Sequence, residues 1–163
     1  VWGRDDKKMD QYKQYMEKIG FEVTFCKSPH EVASECNLII TATASKDYVL
    51  SNNDILEGTH INAIGSDTPS KRELGPGIIE KADLVIADSI EQCKYRGEIA
   101  CSIKDGNLNL DNVVELGDVL SGKISGRESK SQITVSDLTG VAVQDIKIAN
   151  SVFKKFMEDK NEI

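Results

Sequence analysis

The sequence lacks what several protein classes require. In its 163 residues no apolar run approaches the roughly 20 needed to cross a bilayer, so no membrane span is expected. No signal-peptide pattern opens it. Basic residues number 20 against 27 acidic ones, a net charge of −7, and they form no run, which disfavours a nucleic acid partner. There are two histidines, and the four cysteines, Cys26, Cys36, Cys93 and Cys101, never stand as C-x-x-C, so no metal site is expected. They read as reduced thiols, which places the protein in the cytoplasm. Neither a G-x-S-x-G elbow nor an H-E-x-x-H pair occurs. One phosphate-loop spacing, Gly117 to Lys123, is followed by Ile124 where a magnesium-binding hydroxyl should stand, and Val119-Leu120 look helical; it is set aside.

What remains is a globular composition, 39% hydrophobic and 29% charged, of a length that suits one domain. Val1-Trp2 reads as the tail of a strand, Gly3-Arg4 as the turn after it. Residues 5–19 form an amphipathic helix with Met9, Tyr12, Met16 and Ile19 on one face. Phe21, Val23 and Phe25 alternate with polar residues, as in a half-exposed strand near a sheet edge. Ser28-Pro29-His30-Glu31 is a capping box that starts a short helix to residue 36. Leu38-Ile39-Ile40 reads as a buried parallel strand. Further strands are expected at 60–64, 84–87 and 133–135, with an irregular helix at 71–82, another capped by Ser89, a helical stretch at 113–120 and a closing helix at 141–163. This alternation predicts an α/β domain, a mostly parallel sheet with helices on both faces.

In such a sheet, ligands bind beyond the carboxyl ends of the strands. That selects Gly3-Arg4-Asp5, Thr41-Ala42-Thr43 and the run from Gly65 to Lys71. Small residues there admit a ligand close to the backbone, Thr41 and Thr43 add hydroxyls, Asp67 a carboxylate and Lys71 a cation that could meet a phosphate. Each also has an ordinary reading, as a loop exit, a turn residue or a solvated lysine. In a dinucleotide fold the strand tip near Arg4 meets the adenosine ribose, where an arginine pairs with the extra phosphate of NADP; Asp5 keeps NAD open.

These residues resemble a known family. The run Gly58-Thr59-His60-Ile61-Asn62-Ala63-Ile64-Gly65-Ser66-Asp67-Thr68-Pro69-Ser70-Lys71-Arg72-Glu73-Leu74 is similar to the signature of the ornithine cyclodeaminase/mu-crystallin family. Val1-Trp2-Gly3-Arg4, the stretch 116–122 and Asp137-Leu138-Thr139-Gly140-Val141-Ala142-Val143-Gln144-Asp145 match in order. The resemblance implies a Rossmann-like NAD(P)-binding domain, and hydride exchange between nicotinamide and the α-carbon of a small amino or imino acid. It makes Asp67 the catalytic aspartate handling protons on the substrate amine, with Thr139 and Gly140 on the substrate side. Arg4, Thr41, Ala42, Thr43, Ile64, Gly65, Lys71 and Leu138 become cofactor contacts, with NADP slightly favoured over NAD by Arg4. Leu138 stands where many members carry a cofactor-contacting serine. The resemblance further implies that the first strand, its glycine-rich turn and an N-terminal substrate domain would precede Val1. On that expectation the chain is a single truncated NAD(P)-binding domain, inactive alone, its closing helix normally packed on the substrate domain, and the complete protein is a homodimer. A crystallin-like NADP-binding protein without a dehydrogenase role, or an inert fragment, are the alternatives; an acid at position 67 favours the enzyme.

Overall fold

A computed structural model describes residues 1–106, 108 and 110–161, with nothing stated for the side chain of 161. Positions 162 and 163, assigned from sequence to the closing helix, lie outside the described residues. Among the described residues five strands form one sheet: β1 (Leu38–Thr41), β2 (His60–Ala63), β3 (Leu84–Ala87), β4 (Val113–Glu115) and β5 (Thr134–Asp137). Every pairing is parallel, in the order β1-β2-β5-β3-β4. The last strand in sequence is therefore the middle one in space, inserted between β2 and β3 of a Rossmann-like parallel sheet. Thr41, Ala63, Asp137, Ala87 and Glu115 stand in register, so all five strands end on one edge.

Local chemistry places three of the helices. The Asp5 side chain accepts from the Lys8 amide at 3.1 Å and starts α1 (Asp6–Lys18). Ser28 accepts from the Glu31 amide at 3.1 Å and starts α2 (Pro29–Glu35), with proline in its first turn. Glu31 reaches back to the Lys27 amide, one residue earlier than a capping box requires. Ser89 caps α4 (Ile90–Cys93). The chain then breaks and restarts as α5 (Gly97–Lys104), which packs on α3 (Ile78–Lys81), α4 and β5. After β4 come α6 (Leu116–Leu120) and α7 (Ala142–Asn161).

Fully buried Leu50, Ile55, Ile61, Leu74, Ile78, Ile99 and Val135 form the core around the sheet. Each such side chain contributes roughly 1.5–3 kcal/mol by burial.

Four expectations are corrected. Leu38 and Ile40 are exposed while Ile39 and Thr41 are buried: among the described residues β1 is an edge strand paired with β2, and its face carrying Leu38 and Ile40 is left uncovered. Neither residues 1–2 nor 21–25 form a strand. Two bonds, Val1 N to the Thr24 carbonyl at 2.7 Å and the Cys26 amide to the Val1 carbonyl at 2.9 Å, hold these extended segments together. The helix expected over 113–120 is a strand followed by a short helix, because the β-branched Val113-Val114 pair joins the edge of β3. In the 71–82 segment only Ile78–Lys81 is helical; the rest is a loop pinned by a bridge between Leu50 and Leu74.

Candidate functional site

The common carboxyl edge of the strands carries almost every residue singled out above. The segment after β1 opens on a cleft of about 360 Å³, lined in part by Trp2, Tyr12, Ile40, Thr41, Ala42 and Thr43. The loops after β2, β3 and β5 surround a second cleft of about 390 Å³, lined by Ile64, Asp67, Asp88, Leu138, Thr139, Gly140 and Gln144. Gly65 stands between the two. A Cβ there would overlap the backbone of Thr43 and the carboxylate of Glu73, so only glycine lets the two loops touch. Arg4 is exposed and lies outside the residues lining either cleft.

Asp67 is exposed at the rim of the second cleft, and its Oδ1 receives the Lys71 ammonium at 2.5 Å. That hydrogen bond, aided by the charges of Lys71 and Arg96, holds the Asp67 carboxyl below its ordinary value. The group is therefore ionised at neutral pH and can meet an ammonium. The hydroxyls of Thr41 and Thr43 are engaged within the fold. Thr41 donates to Glu73 Oε2 at 2.8 Å, and Thr43 Oγ1 accepts from the Ser45 amide at 3.3 Å. At this segment Ala42 is the exposed residue on the cleft.

Thr139 and Gly140 are held from two sides. Asp88, just after β3, accepts from the Thr139 hydroxyl at 3.1 Å and from the Gly140 amide at 2.7 Å. Gln92 of α4 donates to the Thr139 hydroxyl at 2.7 Å and to the Gly140 carbonyl at 2.6 Å. Cys93 lies beneath them, fully buried, its thiol pushed up to about 12 by burial and by the nearby carboxylates of Asp137 and Asp88. It is an inert packing group rather than a nucleophile.

Sequence reasoning missed Asp88, Gln92, Gln144 and Glu73. The strand-end rule, extended to Leu84–Ala87, would have found Asp88. Glu73, amid Lys71-Arg72-Glu73, has the pattern of a solvated face, yet it is fully buried. Among the described residues, no group of three His, Cys, Asp or Glu is placed to hold a metal, and no helix is long and apolar enough to cross a membrane. The phosphate-loop decoy is helical over 117–120, and Lys123 pairs with Asp118 at 2.8 Å.

This geometry has clear relatives. Alanine dehydrogenase of Archaeoglobus fulgidus is 38% identical over 150 residues, covering 91% of this chain and 46% of its own length. An archaeal alanine dehydrogenase dimer with bound NAD superposes with a TM-score of 0.91 at 32% identity, over 98% of this chain and 49% of that one. The Thermococcus litoralis Δ1-pyrroline-2-carboxylate reductase, solved with NADH and L-proline, gives 0.92 at 26% identity, over 98% of this chain and 50% of that one. The chain thus spans about half the length of the relatives it matches. Its residues 1–160 match the sequence profile of the ornithine cyclodeaminase/mu-crystallin family, and the chain belongs to that family.

Proposed function

We propose that this chain is the nucleotide-binding part of an NAD(P)-dependent amino-acid oxidoreductase or cyclodeaminase acting on a small amino or imino acid. The observation that carries the reading is Asp67, an ionised carboxylate at the rim of a cleft formed where parallel strands end. The site fits a dinucleotide. Two clefts flank a contact so close that a Cβ on Gly65 would fill it, and exposed Ala42 and Ile64 border them. Thr41 to Thr43, Ile64-Gly65 and Leu138 would line the cofactor, and Lys71 would supply a cation. Arg4 favours NADP. Asp5, the competing ribose acceptor, is committed to capping α1. Solved relatives hold NAD or NADH, so titration with both cofactors decides the choice.

When bound, nicotinamide supplies hydride exchange at the substrate α-carbon. The protein's part is to hold the substrate and move a proton. Asp67 pairs with the substrate ammonium through Oδ1 or Oδ2 and accepts its proton as the carbon–nitrogen bond gains double-bond character. Thr139 and Gly140, fixed by Asp88 and Gln92, shape the opposite wall. The residues that grip the substrate carboxylate are assigned to another part of the complete protein, a homodimer on this reading. That part would also cover the exposed face of α7, where Ile146, Phe153 and Phe156 align.

The test is Asp67→Asn in the intact protein. NADH or NADPH affinity should stay within about twofold, while turnover of a 2-amino acid falls by roughly 100-fold or more. Unchanged turnover would remove Asp67 from the chemistry.

A further inference from the structure

One fully buried carboxylate lines neither cleft, yet it joins them. Glu73 Oε1 accepts from the Thr43 amide, and its Oε2 accepts from the Gly65 amide at 2.8 Å and the Thr41 hydroxyl at 2.8 Å. Its own backbone is held just as firmly. The Glu73 amide donates to Glu98 Oε1 at 2.7 Å, and its carbonyl accepts from the amides of Val49 at 2.7 Å and Leu50 at 3.1 Å. Glu98, on the first turn of α5, also accepts from the Leu74 amide at 3.0 Å, with burial pushing its carboxyl up.

Burying a carboxylate is costly unless its lone pairs are filled. Here three donors, from the end of β1, the loop after it and the loop after β2, bond to its oxygens, and an amide side chain, with one acceptor atom, could not serve all three. The loops concerned are the two that flank the Gly65–Thr43 contact, one lining each cleft. We propose that Glu73 is a positioning residue that sets the separation of the loops after β1 and β2, and so the spacing between the two clefts that one extended dinucleotide must span. This rests on the dinucleotide reading above.

The consequence is specific. With Glu73→Gln, the side-chain oxygen serves the Thr43 amide and its NH₂ meets the Gly65 N–H, leaving a buried donor unpaired. A spacing defect weakens a ligand that engages both clefts and spares one that engages a single cleft. Mere loss of folded protein lowers the signal amplitude without moving a dissociation constant.

The experiment titrates the intact protein with NADH, NADPH and ADP by fluorescence or calorimetry. Glu73→Gln should raise the Kd of the dinucleotide roughly tenfold or more and that of ADP by less than twofold. Thr41→Val, which removes one donor, should raise the dinucleotide Kd several-fold, and Thr41→Ser, which keeps the hydroxyl, should restore it. Glu80→Ala, which removes the acceptor of a hydrogen bond from Ser102 between α5 and α3, should lower the melting temperature without moving either Kd. If Glu73→Gln does not fold, the Thr41 pair decides. Dinucleotide constants unchanged in Glu73→Gln and in Thr41→Val would overturn the proposal, as would equal weakening of ADP and dinucleotide. A wild-type protein that binds neither NADH nor NADPH would instead bring down the dinucleotide reading, and this proposal with it.

Discussion

Asp137 ends the middle strand of the sheet, and its carboxylate lies under the first turn of α5. Its Oδ2 accepts from the Ile99 amide at 2.9 Å, whereas Oδ1 is buried without a hydrogen-bond partner. Gly97, at φ +90°, leaves room for it, since a Cβ there would strike both carboxylate oxygens. Burial pushes the carboxyl up from 3.8 to about 7, with Glu98 and Asp88 adding repulsion and the α5 amides opposing. The folded chain therefore binds this proton more tightly than the unfolded one. The associated stability is fully present below pH 4 and is lost as the pH rises to about 7, after which the loss levels off. A shift of that size corresponds to at most about 4 kcal/mol at 1.36 kcal/mol per unit. Asp137→Asn removes the titration. Between pH 4 and 8 the variant should gain on the wild type by up to about 4 kcal/mol, or roughly 8–16 °C in melting temperature for a domain of this size. Thermal unfolding of both proteins in a buffer series measures the difference, which cancels the other carboxylates. A difference that stays constant across that range would show that Asp137 titrates like an exposed aspartate, and the burial argument would fail.

Two further outcomes follow from the same edge of the sheet. Gly65→Ala should cost about 1–3 kcal/mol, or roughly 2–12 °C in melting temperature, because the new methyl meets the Thr43 backbone nitrogen at 2.5 Å; an unchanged melting temperature would mean that the two loops are not in contact. Gln92→Leu removes two bonds to Thr139 and Gly140, so the amides there should exchange with deuterium at least roughly tenfold faster while Ile61 in the core does not change; equal protection in both proteins would mean that Gln92 does not anchor them.

Much of this protein was legible in its sequence, for a local reason. The caps at Asp5, Ser28 and Ser89 use donors only three residues ahead, so they announce their helices wherever the chain goes. The apolar run of β1, the strand expected at 60–64 and the strand-end rule singled out Thr41–Thr43, Gly65 and Asp67. Pattern could not settle whatever depends on a distant partner. Residues 113–115 are a strand because β3 offers an edge, and β1 alternates because one of its faces is bare. The place of β5 between β2 and β3 is set by pairings of residue 134 with residues 60 and 84. The buried carboxylates are the clearest case. Thr41 and Glu73 are 32 positions apart, and Asp137 and Ile99 are 38 apart. In sequence these acids look like surface residues, and only the folded chain brings the donors that let them be buried.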